Sequence, residues 1–363
     1  MSQSVALTLL PIFVLAVTFD YINGFHDTAN AIATSVATRA LRPEHAILLS
    51  ATANFVGALV FGTAVAGTIG SGIVQDKMIL GSGAAVLTAA LLGAIAWNLI
   101  TWGLAIPSSS SHALIGGLIG AAIAAAGLDA VQWSNFGQKV LVPLFSSPVL
   151  GFTIGLAFMV VLLNLIGRQS FIQKWLTDQR RPGAAAVEAD DWPRAGTSPA
   201  HINDRFRRLQ VLSASFMALC HGSNDAQKTM GSMTLALFSA GVIPDKTVPV
   251  PVILIAATAM SLGTAAGGWR IMKTMGQRVV KLDPVHGFAA ETTAATIILA
   301  ASHFGMPVST THVISTAIMG VGTSDRIKAV RWGIARSIFT AWVLTIPCSA
   351  IIAGASYFVL HLL

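Results

Sequence analysis

Two acidic residues in apolar surroundings carry the first chemical signal. Asp27 stands in Asn23-Gly24-Phe25-His26-Asp27-Thr28-Ala29-Asn30, and Asp225 stands in His221-Gly222-Ser223-Asn224-Asp225-Ala226-Gln227-Lys228, so that Gly and Asp recur 198 residues apart. Two hydroxyl-rich runs recur 200 residues apart, Pro107-Ser108-Ser109-Ser110-Ser111-His112 and Pro307-Val308-Ser309-Thr310-Thr311-His312. An acid within a lipid-solvated stretch is costly and usually functional. At a helix start it is also an ordinary N-cap, and Gly24 and Gly222 would permit a broken backbone there. The hydroxyl runs either bond back to their own helices or join helix N-terminal amides in an anion cradle. A tetrahedral oxyanion suits such a cradle, because its oxygens accept from several directions. Two carboxylates beside an anion repel it strongly in a poorly solvated site. Anion entry therefore requires a cation as well, or protonation of the acids. Moving an anion inward against an inside-negative potential costs ~2.3 kcal/mol per charge per 100 mV, which a co-transported cation offsets.

Other ionisable residues carry weaker signals. Lys228 aligns with Asn30 and lies three residues after Asp225, as a fixed counter-charge or a direct anion contact. Glu291 lies in an apolar run, and its counterpart by offset, Leu91, is not acidic. It reads equally as a cation or proton site and as a bonded structural acid. His112 and His312 read as turn anchors bonding a carbonyl or as proton carriers, and His26 and His221 are similarly open. Trp97, Trp102, Trp332 and Trp342 read as interface anchors or packing. No multi-cysteine site is available, with only Cys220 and Cys348 in the chain. No metal is expected.

The elements that position these residues must lie in a membrane. Of the 363 residues 54% are apolar and only 10% are charged, with a mean hydropathy of +0.72. About 25% charge is ordinary for a soluble protein, so a soluble enzyme and a disordered chain are both excluded. The apolar stretches are 5–22, 45–70, 79–106, 113–128, 140–167, 209–221, 226–243, 249–268, 288–305, 312–323 and 337–360. A full span needs ~20 residues, so 113–128, 209–221 and 312–323 predict broken helices or re-entrant hairpins. The first stretch has no basic residue before it and no cleavage pattern after it, and reads as a retained helix.

The paired motifs predict an internal duplication: residues 1–167, a cytoplasmic linker at 168–205, and residues 206–363. A third match, Gly62-Thr63-Ala64 with Gly263-Thr264-Ala265, falls between the other two in order. Charge predicts that the copies are inverted. Arg39 and Arg42 face a counterpart loop with only Lys246, whereas Lys77 faces Arg270, Lys273, Arg278 and Lys281. Lys139 faces Arg326, Lys328, Arg331 and Arg336. Equivalent loops alternate in basic content with opposite phase, which by the positive-inside rule sets them on opposite faces. Eighteen of the 22 basic residues then lie inside and three outside, with both termini outside.

These motifs resemble the duplicated signature of the inorganic phosphate transporter (PiT) family, over roughly 8–166 and 206–360. The resemblance implies an all-α polytopic transmembrane transporter with two inverted-topology repeats, broken helices and two Ser/Thr-tipped helical hairpins. It implies phosphate import by cation symport, no enzymatic activity, and no cofactor beyond the co-transported proton or sodium. The family's substrate and cation residues match Asp27, Asn30, Ser109, Ser110, Ser111, Asn224, Asp225, Ser309, Thr310 and Thr311, and its acid before the second hairpin matches Glu291. Cation coupling falls to Asp27, Asp225, Lys228 and Glu291. The chain departs from the symmetric sodium-type pattern: His26 replaces an Asn, and Gln227-Lys228 replaces Ala-Asn. The Gln-Lys form resembles the bacterial low-affinity branch, associated with protons and with neutral metal–phosphate complexes. Protons are thus favoured over sodium. The expected setting is a bacterial inner membrane, with phosphate, the cation, lipid and further copies of the chain in a homo-oligomer as partners, and no nucleic acid. The rival readings are a sulfate symporter on the same fold, a passive channel, and an intramembrane metalloenzyme using His26, Asp27, His112, His221, Asp225 and His312. The metalloenzyme lacks an H-E-x-x-H spacing.

Overall fold

The computed structural model describes residues 3–178 and 200–362. These residues are almost entirely helical, apart from one antiparallel bridge between Val74 and Val131. The first half runs α1 (Gln3–Ala37), α2 (Pro43–Val60), α3 (Ala64–Ser71), α4 (Asp76–Gly103), α5 (Ser110–Ala126), α6 (Trp133–Phe136) and α7 (Val142–Asp178). The second runs α8 (Ala200–Ser239), α9 (Val250–Ala266), α10 (Trp269–Lys273), α11 (Pro284–His303), α12 (Thr310–Thr323) and α13 (Trp332–Leu362). The element order repeats. Each half has a long helix carrying the Asp motif, then a helix that bends sharply into a short one. The bends are 77° between Pro43–Val60 and Ala64–Gly70 and 62° between Val250–Ala266 and Arg270–Gly276. A two-helix hairpin and a long closing helix follow. Four stretches are long and apolar enough to cross a membrane: Val5–Ala37, Gly83–Gly103, Trp133–Gly167 and Trp332–Leu362. The two bent pairs qualify when each is taken as one span.

The halves interlock. α1 packs on α9 and α8 on α2; the hairpin helix α5 packs on α13 and α12 on α7. Exchanging the halves maps each pairing onto another. Alanine and glycine at these seams let the backbones approach closely, which is how helices associate where no hydrophobic driving force separates them from lipid. Helical backbone continues to Asp178 and resumes at Ala200, so both edges of the expected linker at 168–205 are helical. Residues 179–199 lie outside the described part.

One expectation is corrected by the backbone at the Asp motifs. Helices α1 and α8 run unbroken through them, so Asp27 and Asp225 are not N-caps. The stretch 209–221 and most of the stretch 226–243, as far as Ser239, are one helix. The glycines serve close packing instead: a Cβ on Gly24 would strike the Met260 carbonyl of α9, and one on Gly222 would strike the Asn54 carbonyl of α2. The same geometry corrects the third sequence match. Asn54 corresponds to Met260 and Gly57 to Gly263, both 206 residues apart, so Gly62-Thr63-Ala64 sits at the first bend while Gly263-Thr264-Ala265 lies inside α9. The breaks that do occur are at these bends and at the hairpin turns.

Candidate functional site

Helix periodicity builds the site. Along α1, Asp20, Asn23, Asp27, Asn30, Thr34 and Thr38 follow one another at spacings of three or four and form one polar stripe, every member buried. Along α8, Gln210 and Ser213, and then, after a gap of eight residues or about two turns, His221, Asn224 and Lys228, form a second buried polar stripe. The two stripes face each other, because α1 packs on α8. The charged and polar residues of α8 leave it too polar to read as a membrane span from its sequence, although it packs on α1, α2 and α11.

The hairpin tips meet the stripes at their middle. Ser109 and Ser309 are N-caps: each hydroxyl accepts the amide of the histidine three residues on, at 3.2 Å in both copies. The amides of Ser110, Ser111, Thr310 and Thr311 lie in first turns, where no intrahelical acceptor exists. The Asn30 amide nitrogen donates to Thr311 Oγ1 at 2.9 Å and Thr310 Oγ1 at 3.3 Å. Its counterpart, Lys228, donates to Ser110 Oγ at 3.2 Å. Ser110 donates to Asp27 Oδ2 at 3.2 Å, and Ser111 to the Val308 carbonyl at 3.1 Å. The tips touch through His112 and His312, ring centroids 4.9 Å apart. His312 makes no hydrogen bond through its ring nitrogens and stacks on Trp342 at 3.8 Å, so it is not a carbonyl anchor. Trp342 is buried packing, whereas Trp332 is 45% exposed.

The acids converge. One oxygen each of Asp27 and Asp225 and one nitrogen of His221 lie within 4.8 Å of one another. Asp225 Oδ1 is 2.8 Å from the Lys228 ammonium, and Asp27 Oδ1 is 2.6 Å from His26 Nδ1. That trio has the geometry of a cation site, but Lys228 already supplies a fixed positive charge there. The residue before each Asp is a strut: His26 Nε2 meets Thr101 Oγ1 at 3.2 Å, and the Asn224 amide nitrogen donates to Ser302 Oγ at 2.8 Å. Thr101 and Ser302 end the helices that enter the two hairpin turns.

Glu291 lies apart from this centre. It accepts from Thr34 at 2.5 Å, from Gln210 at 3.1 Å and from Ser213. Thr38 donates to Gln210 at 2.7 Å. Thr34 is seven residues beyond Asp27, about 10 Å along the helix. Asp20 and Asn23 were missed by motif reading as site residues. Asn23 donates to Asp225 Oδ2 at 3.4 Å, and the signal for both was their spacing from Asp27 on one helix face.

The site consists of two facing acids, one buried ammonium, and hydroxyls and free amides at two helix N-termini. Donors and charges of these kinds suit a compact oxyanion accompanied by positive charge. Comparison with known proteins gives the family. The phosphate transporter family profile matches residues 23–353. A probable low-affinity inorganic phosphate transporter of Bacillus subtilis is 46% identical over 358 residues, covering 98% of each chain. One of the same description from Rhizobium meliloti is 42% identical, covering 96% of each. A solved structure described as the sodium-dependent phosphate transporter is 26% identical, with a TM-score of 0.80, covering 98% of this chain and 99% of that one. With its profile, its relatives and its fold in agreement over nearly its whole length, this chain belongs to the phosphate transporter family.

Proposed function

We propose that the protein imports inorganic phosphate across the bacterial inner membrane as a secondary symporter coupled to protons. Phosphate sits between the hairpin tips, held by the Ser109–Ser111 and Ser309–Thr311 hydroxyls and the adjoining amides, with Asn30 and Asn224 orienting the tips. Asp27 and Asp225 take up the compensating positive charge, and Glu291 serves as a second coupling station further along α1. The observation that carries this reading is the position of Lys228. Its ammonium bridges Asp225 and Ser110, at 2.8 and 3.2 Å, where the equivalent position of the other half holds the neutral Asn30. A built-in cation beside the anion cradle reduces the positive charge that must be imported with each phosphate. The two halves are inverted across the membrane, supported by the alternation of their loop charges and by the exchange symmetry of their helix pairings.

Uptake of labelled phosphate into proteoliposomes tests the reading, with proton and sodium gradients imposed in turn. Accumulation driven by the proton gradient alone, undiminished by excess sulfate, is expected. Uptake driven only by sodium would overturn the choice of ion. Competition by equimolar sulfate would overturn the substrate.

A further inference from the structure

At the end of the polar stripe opposite Glu291, Asp20 is fully buried, and neither of its carboxylate oxygens makes a hydrogen bond. It lies seven residues before Asp27 on the same face of α1, about 10 Å along the helix. Its polar neighbours are the Thr229 hydroxyl and the Asn23 side chain, and its charged neighbours are Asp225 and Lys228. The unpartnered atoms here are all oxygens: both of Asp20, Asn23 Oδ1 and Thr229 Oγ1. A buried carboxylate with no donor and no dedicated counter-charge is among the costliest groups a protein can hold. Lys228 does not serve it, being 2.8 Å from Asp225.

We propose that Asp20, with Asn23 and Thr229, is a proton-binding site of the transport cycle, on the far side of the phosphate pocket from Glu291. The inference rests on the phosphate–proton reading above and names a residue for it. One proton completes the hydrogen bonding of the cluster. The carboxyl O–H donates to Asn23 Oδ1, and the Thr229 hydroxyl donates to the other carboxyl oxygen. Asn23 then couples the two sites, because its amide nitrogen already donates to Asp225 Oδ2 at 3.4 Å. Protonation of Asp20 pulls on one end of that amide while Asp225, Lys228 and Ser110 hold the other. Among the described residues, the charged groups that act on Asp20 come from α8 alone. Helix α9 contains no ionisable residue, and α4 carries only Asp76 and Lys77, at its distant start. The ionisable residues facing Asp20 are therefore Asp225 and Lys228 of α8.

The test is Asp20→Asn in the full-length protein, reconstituted, with two readouts. Net phosphate uptake driven by a proton gradient requires a proton to bind and leave, whereas phosphate–phosphate exchange at equal pH on both sides does not require release. The proposal expects gradient-driven uptake to fall at least ten times more than exchange, and Asp20→Glu to restore it. Equal loss of both activities, or loss of neither, overturns it. If Asp20→Asn does not fold, Thr229→Val decides, because it keeps the acid and removes its hydroxyl neighbour. A shift of about one unit in the pH of half-maximal uptake supports the site, and an unchanged profile overturns it. Failure of the wider reading looks different: wild-type protein then takes up no phosphate. A wild type driven by sodium alone overturns the Asp20 proposal while leaving phosphate symport in place.

Discussion

The Lys228 ammonium is fixed 2.8 Å from Asp225 Oδ1, both groups fully buried and three residues apart on α8. Breaking such a pair by removing one partner leaves an uncompensated charge, typically a loss of about 3–5 kcal/mol. A replacement that leaves room for another cation avoids much of that loss.

Lys228→Asn recreates on α8 the residue that α1 carries at Asn30. Phosphate uptake by this variant is expected to become stimulated several-fold by sodium while losing part of its proton dependence. Matched uptake assays at fixed pH with and without sodium check this. Unchanged profiles would remove Lys228 from ion selection.

Asp27→Asn and Asp225→Asn preserve the size of the side chain and delete its charge. Each is expected to lower phosphate uptake at least ten-fold while the purified protein elutes at the wild-type position on size exclusion. Asp225→Asn is expected to be the less stable of the two, because it strands Lys228. Wild-type rates in both variants would dissociate the acids from transport.

At the mouth of the second hairpin, outside the apolar spans, His286 lies 2.8 Å from Asp283 and 3.2 Å from Asp325. Burial opposes a charged ring, but the two carboxylates outweigh it and raise the His286 pKa to about 9. Burial likewise acts against the Asp283 charge, and the His286 contacts outweigh it, so Asp283 titrates below the usual carboxylate range. The stabilisation from His286 is complete below its unfolded value of about 6.5 and lost as pH rises through about 9. That from Asp283 is present above about 3.9 and lost as pH falls through its lowered pKa. Thermal unfolding in detergent should therefore show a plateau that declines from about pH 6.5 and levels off above about pH 9. His286→Asn should lower the plateau Tm by about 4 °C and flatten its alkaline limb. An alkaline decline equal to wild type would count against the cluster.

Single cysteines at Lys77 and Arg278, in a chain with Cys220 and Cys348 replaced by serine, report on the proposed inversion. An impermeant maleimide added to intact cells should label position 77 and leave 278 unlabelled until the membrane is opened. Labelling of both from outside would contradict opposed halves.

Residues that recur could be read directly. The acid motif and the hydroxyl run each appear twice, and the folded chain brings the copies together. What did not recur was harder to see. Asp20 has Ala218 at the matching offset, so nothing in the repeat marks it; only its register on the α1 stripe does. Gly24 and Gly222 were legible as special positions but not in their role. Glycine serves both a broken backbone and a close crossing, and the deciding atoms, the Met260 and Asn54 carbonyls, lie more than 160 residues away in sequence. His312 was similarly ambiguous until Trp342 was found stacked on its ring.

The unbroken course of α1 and α8 limits how the cargo can be handed over. A rod that keeps its full backbone ladder has no local hinge at its acids, so they move only with the whole helix. In the proposed cycle the floor of the pocket stays put, and access from either side falls to the two hydroxyl-tipped hairpins.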